Sequence, residues 1–210
     1  MVISFEHNFL FCHIGKTAGS SIANALAPFS HPMKKDRISK IRSRLALPQK
    51  PENVYFPVHS SCAYAAKRLP DELYEGLFKF AIVRNPWDRI VSLYHYILMN
   101  EKHHRHAKVS AMRDFDAFVR YEAKRGKFFL HQSLCGADGE LVVDFVGKFE
   151  NLSSDFDRIC KKLDISASIP HKNKSVHKPY QEYYSKETED IVSQVWKRDI
   201  ELFDYRFEAS

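Results

Sequence analysis

The chain has 210 residues, of which 44% are hydrophobic and 13% aromatic, which suits one α/β domain spanning 1–210 and argues against a disordered chain. A formal net charge of +6 favours anionic ligands without choosing among nucleotides, acidic glycans and nucleic acid. No apolar run approaches the ~18 residues of a membrane helix and no signal peptide precedes the first strand, so a soluble, reducing, cytoplasmic setting is expected, with a Golgi lumen only if an N-terminal anchor has been removed.

The first predicted strand is the apolar run 9–14, Phe-Leu-Phe-Cys-His-Ile, which runs into Gly15, Lys16, Thr17, Ala18, Gly19, Ser20 and Ser21. Ala18, Ile22, Ala25, Leu26 and Phe29 then recur at helical spacing. A strand–turn–helix of this kind aims backbone N–H groups and the positive end of a helix at one spot, which makes an anion site and most naturally a phosphate site. Lys16 adds a mobile charge, and Thr17, Ser20 and Ser21 add hydroxyl donors. A Walker A loop needs a glycine five positions ahead of the glycine that precedes its lysine, and Leu10 stands there, so this turn is shorter than an ATPase loop.

Residues 28–57 carry five prolines around the basic residues Lys34, Lys35, Arg37, Lys40, Arg42 and Arg44, a long excursion holding one short helix. The segment 54–59 is predicted to be a short edge strand, with Pro57 near its end, and a helix should follow over 63–68. His59, at that strand end and followed by Ser60 and Ser61, is either a base facing a cleft or a structural side chain. The run 77–83 is the clearest central strand, and it ends at Arg84-Asn85-Pro86, where Asn85 can cap a helix and Pro86 suits its first position. In that helix Ile90, Leu93, Tyr94, Ile97 and Leu98 form an apolar stripe, which puts Asp88, Ser92 and His95 opposite and makes Ser92 an exposed hydroxyl. Arg84 at the carboxyl end of a strand is placed either to meet a ligand or to pair with Asp88.

Residues 101–108, with His103, His104 and His106, read as a solvated loop. Phe115, Phe118, Val119 and Glu122 mark an amphipathic helix, and 128–134 continues the helical region. A turn at 137–139 leads to a hairpin or bent strand over 141–149. Ser153 and Ser154 are expected to cap the next helix, 166–184 is polar and basic, and Ser185 caps a final helix with acidic residues in its first turn. Cys12, Cys62, Cys135 and Cys160 lie far apart in the chain without metal-type spacing, so buried free thiols are expected.

The order of these pieces is more informative than any one of them. A lysine-bearing phosphate loop, a strand-end histidine, Val83-Arg84-Asn85-Pro86 with Arg89 and Ser92, the segment 146–152, Asn173-Lys174-Ser175, Tyr183-Tyr184-Ser185 and Asp199 with Leu202-Phe203-Asp204-Tyr205 follow one another. This set resembles the carbohydrate sulfotransferases, the group of heparan 2-O-sulfotransferases, chondroitin/dermatan sulfotransferases and their bacterial relatives, over about nine-tenths of the chain. The resemblance implies the sulfotransferase fold, an α/β architecture with a P-loop-like central parallel β-sheet flanked by helices. It implies an enzyme that uses 3′-phosphoadenosine 5′-phosphosulfate (PAPS), releases the bisphosphate PAP and needs no metal.

The implied acceptor is a carbohydrate hydroxyl on a glycan, oligosaccharide or glycolipid; nucleic acid is not an expected partner, and no sequence feature specifies an oligomeric state. By the same resemblance Gly15, Lys16, Thr17, Ala18, Gly19, Ser20 and Ser21 bind the 5′-phosphosulfate, with Lys16 on the leaving phosphate oxygen. Arg84 and Ser92 match residues that recognise the 3′-phosphate, Lys174 and Ser175 fall in a loop that closes over the nucleotide, and His59 matches the general base of the 2-O-sulfotransferase branch. The chain departs from the pattern at Pro57, where some relatives carry a second histidine. Two other readings are open. One is a P-loop nucleotide kinase or ATPase, against which Leu10 and the missing acidic metal motif count; the other is a non-catalytic nucleotide- or polyanion-binding module, which would have no need of His59.

Overall fold

In the computed structural model, which describes residues 1–33, 37–45, 47, 54–169 and 178–208, the apolar run forms strand β2, Phe9–Cys12, with all four residues buried. The chain divides into two compact units, one of Met1–Val83 with Leu130–Lys172 and one of Arg84–Phe129 with Asn173–Ser210.

The first unit is built on a four-stranded sheet in the order β1-β2-β3-β4, with β1 Val2–Ser4, β3 Phe78–Val83 and β4 Phe145–Lys148. Strands β2, β3 and β4 run parallel, in a register that pairs Phe11 with Phe80 and Val83 with Lys148. Strand β1 is an addition to the expected parallel sheet: it pairs antiparallel with β2, Val2 opposite Phe11, through a tight connection in which Asn8 takes a positive φ. Near-continuous apolar strands of this kind need cover on both faces. On one face, helix α1 (Gly19–Leu26) brings Ile22 and Leu26, and helix α9 (Leu152–Leu163) brings Phe156, Ile159 and Leu163, onto Phe9, Phe11 and Phe80. Elsewhere in the unit Cys12 turns its thiol to the carbonyls of Ser60 and Ser133, beside helices α3 (Cys62–Ala66) and α8 (His131–Leu134). Helices α2 (Arg37–Arg44) and α4 (Asp71–Glu75) complete the unit. All four cysteines are buried free thiols.

Two expectations for this unit are corrected. Residues 54–59 form no strand: Val54 and Phe56 are buried, but the Pro57 carbonyl accepts both the Ser60 N–H and the Ser60 hydroxyl, which turns the chain before any ladder forms. Proline has no N–H to give a ladder, and the turn satisfies its carbonyl locally. Ser153 and Ser154 do not cap α9; they lie in its first turn, behind the helical turn at Phe149–Asn151, and the Ser154 hydroxyl donates to the Asn151 carbonyl. The bend expected in 141–149 is present, with Leu141 bridging Cys135 before β4 begins.

The second unit is helical: α5 Pro86–Met99, α6 His106–Ser110, α7 Phe115–Arg125, α10 Lys186–Val195 and α11 Lys197–Leu202. Ser185 caps α10 in a box with Thr188, as its sequence position predicts, which satisfies two backbone donors at once. The histidine-rich stretch 101–108 is less solvated than expected, because Arg105 is buried against the carboxylate of Glu122, which also receives Arg125 at 2.9 Å. A fully buried carboxylate is stable only with such partners.

Candidate active site

The turn after β2 is wound tighter than its sequence suggests. Lys16 and Ala18, neither of them glycine, sit at φ 68° and φ 60° in the left-handed region. Each costs about 1–2 kcal/mol for an L-residue, a strain found where backbone donors are turned toward a ligand. Ala18 occupies the cap position of α1, no side chain caps that helix, and its first turn holds no acidic residue. The start of α1, the left-handed backbone before it and the half-buried Lys16 are therefore the elements an anion site at this turn would use.

The hydroxyls of this loop divide by role. Thr17 is fully buried and donates to the Ile14 carbonyl at 3.1 Å, so it braces the turn from inside instead of presenting its proton outward as expected. Ser20 is exposed and Ser21 half-buried. Gly19 is needed for space: a Cβ there would stand 1.9 Å from Cδ2 of the His13 ring.

His59 is exposed on the turn that replaces the expected strand. Its Nδ1 donates to the His13 carbonyl at 3.0 Å, so in the neutral form of the ring Nε2 is the nitrogen with the free lone pair. The two histidine rings meet edge to face with centroids 4.9 Å apart. His13 is buried, and the cost of desolvation, helped by the charges of the N-terminus and His59, pulls its pKa down to about 4. The structure thus brings together the loop and His59, and adds His13, which the sequence pattern had absorbed into a strand. A histidine inside an apolar run directly before a glycine turn was the available signal.

In the second unit Arg84 follows β3 directly, and its Nε donates to Asp88 Oδ2 at 2.7 Å, with side-chain exposures of 6% and 16%. Of the two roles open to Arg84, the ion pair is present. It grips the guanidinium by one edge and sets its plane. Asn85 caps α5 as expected, accepting from Trp87 N at 3.0 Å and donating from Nδ2 to the Arg206 carbonyl. Arg89 is buried with its guanidinium 3.6 Å above the Phe128 ring and a bond to the Phe128 carbonyl; burial draws its pKa down to about 9. Ser92 is corrected: it is 4% exposed, not a surface hydroxyl, because the first half of α5 is buried on all sides. Lys174 and Ser175 lie outside the described residues. Among the described residues no group of three or more His, Cys, Asp and Glu side chains is placed to hold a metal, and no helix is long and apolar enough to cross a membrane.

A family model described as the sulfotransferase family matches residues 1–206. The chain belongs to the sulfotransferase family. The match runs through both units of this sulfotransferase. The crystal structure of mouse sulfotransferase SULT7A1 complexed with PAP aligns over 96% of this chain and 87% of that one, with TM-score 0.59 and 16% identity, and shares its fold. A sulfotransferase from Alicyclobacillus acidocaldarius aligns over 95% of this chain and 96% of that one at 14% identity and TM-score 0.42. An uncharacterized protein of Archaeoglobus fulgidus is 26% identical over 107 residues, 49% of this chain and 80% of that protein.

Proposed function

We propose that this sulfotransferase, read as a single sulfotransferase domain over 1–210, moves a sulfuryl group from PAPS to a carbohydrate hydroxyl. The observation that carries the reading is the strained, uncapped turn after β2, with His59 bonded through Nδ1 to the His13 carbonyl beside it. The strained, uncapped start of α1 fits a phosphosulfate, and the mouse sulfotransferase of the same fold is complexed with PAP. PAPS supplies the sulfuryl group and a leaving phosphate.

The backbone N–H groups of 15–21 and Lys16 would hold the 5′ end and stabilise charge developing on the leaving oxygen, at no cost in reorganisation because the turn is already wound. Ser20 and Ser21 add outward hydroxyls, and Thr17 keeps the turn closed. His59 Nε2 would accept the proton of the acceptor hydroxyl as its oxygen bonds to sulfur, and the Nδ1 bond to the His13 carbonyl stabilises the imidazolium that results. Arg84 is assigned the 3′-phosphate, with Ser92 supporting it from inside α5, and Lys174 and Ser175 are assigned to closure over the nucleotide. Four free buried thiols suit a reducing cytoplasm.

The test is mass spectrometry of an acceptor panel (acidic glycosaminoglycans, neutral oligosaccharides and glycolipids) incubated with PAPS. A sulfate mass gain on at least one member is expected; no gain on any would overturn the carbohydrate reading. In parallel, PAP should raise the melting temperature more than ATP with magnesium, and the reverse ranking would favour a kinase or ATPase.

A further inference from the structure

The side chain of His13 has no task in the chemistry above, yet it occupies the ground between the anion loop and the base. Its ring stacks on Phe11, centroids 5.9 Å apart and planes 17° from parallel. Its Cδ2 and Nε2 lie only 1.9 and 2.2 Å from where a Cβ on Gly19 would stand, so the ring is pressed against the first residue of α1. It meets the His59 ring at 4.9 Å and 74°, and its own carbonyl takes the His59 Nδ1 hydrogen. One residue therefore touches the loop with its ring edge, the base with its ring, and the base again with its backbone.

We propose that His13 is a positioning residue: its ring is the rigid spacer that sets the distance from the anion loop to His59, and its carbonyl selects the His59 tautomer that leaves Nε2 free to take a proton. The inference rests on the reading of His59 as the base. A planar ring locked between Phe11 and the backbone of Gly19 has almost no rotamer freedom, so it transmits the position of α1 to His59 without slack. It also explains why position 19 is glycine: any side chain there would evict the spacer. Because burial keeps His13 uncharged at neutral pH, it adds no repulsion when His59 gains its proton.

The test uses the full chain with His13→Phe, His13→Ala, Gly19→Ala, the double variant His13→Ala/Gly19→Ala and His59→Ala. Three quantities are read: PAP affinity by calorimetry, the ¹⁵N signature of the His59 ring, and kcat and KM for sulfate transfer. Wild type should show His59 protonated at Nδ1. His13→Ala should lower kcat by about 10–100-fold with donor KM and PAP affinity within about threefold of wild type, and should leave His59 protonated at Nδ1 because the backbone carbonyl remains. His13→Phe, which keeps a ring, should recover most of the lost rate. Gly19→Ala should weaken PAP binding, and adding His13→Ala should restore part of it, because the colliding ring is gone.

A wild-type kcat in folded His13→Ala, an Nε2–H tautomer of His59 in the wild type, or strictly additive Gly19 and His13 effects would each overturn the spacer. The tautomer and the binding cycle need no turnover. Wild-type transfer by His59→Ala would therefore reject the base while leaving the spacer to be judged on those two measurements.

Discussion

The turn after β2 in the first unit and the Arg84 junction of the second are both strand-to-helix turns, built on opposite principles. After β2 the chain enters its helix through two non-glycine residues at positive φ and with no side-chain cap. After β3 the helix begins with an Asn85 cap and a proline at its first position, and Arg84 is already paired with Asp88. The first turn holds strain and a helix start without a side-chain cap; the second holds a side-chain cap and an ion pair. A turn that leaves backbone donors open can bind an anion through the main chain, whatever its side chains, whereas a closed turn must rely on one side chain held in place.

The largest effect should come from His59, the proposed base beside the turn after β2. His59→Ala is expected to lower the transfer rate by about two to four orders of magnitude with PAP affinity unchanged, measured by turnover and calorimetry. A parallel loss of PAP affinity would mean that His59 belongs to the anion site itself.

Arg84→Ala should weaken PAP far more than 5′-AMP and also lower stability by about 3–5 kcal/mol, because it leaves the Asp88 carboxylate largely buried without its partner. The double variant Arg84→Ala/Asp88→Ala separates the two effects. Its melting temperature should recover while the preference for PAP over 5′-AMP stays lost. If both nucleotides weaken equally, the closed turn carries no phosphate recognition and is purely structural.

Next in size is a pH effect confined to the turn after β2. The folded-state pKa of His13, about 4, lies below its ordinary value of 6.5. Between those values the unfolded chain binds a proton that the folded chain does not, so stability is full above about pH 6.5 and falls as the pH drops toward 4, by about 2–3 kcal/mol. Denaturant melts of wild type and His13→Phe across that range should diverge, the variant showing the flatter profile. The smallest effect is Ala18→Gly, which relieves the left-handed strain and should stabilise by about 1 kcal/mol, a rise of about 2–4 °C in Tm by calorimetry. A fall instead would show that Ala18 is held at positive φ without strain.

What could be read in advance was local. The buried strands at Phe9–Cys12 and Phe78–Val83 announce themselves as apolar runs, and the Asn85-Pro86 and Ser185 caps act within a few residues of themselves. The segment 54–59 misleads for the same reason: its residues suit a strand, but a strand exists only where a neighbour offers a ladder, and the Pro57 turn intervenes. Ser92 misleads because a polar residue opposite an apolar stripe is expected to face water, whereas the first half of α5 is enclosed all round.

By itself the sequence determined the α/β class, the lysine-bearing glycine turn and the order of motifs that marks a sulfotransferase, since each depends on residue type, spacing or succession along the chain. Only the tertiary structure decided that the turn would be strained and uncapped, that Thr17 would face inward, and that His13 would stand between Gly19 and His59. Those features depend on which backbone comes within a few ångströms of which ring, and residues as far apart in the chain as 13 and 59 carry no local signature of that approach.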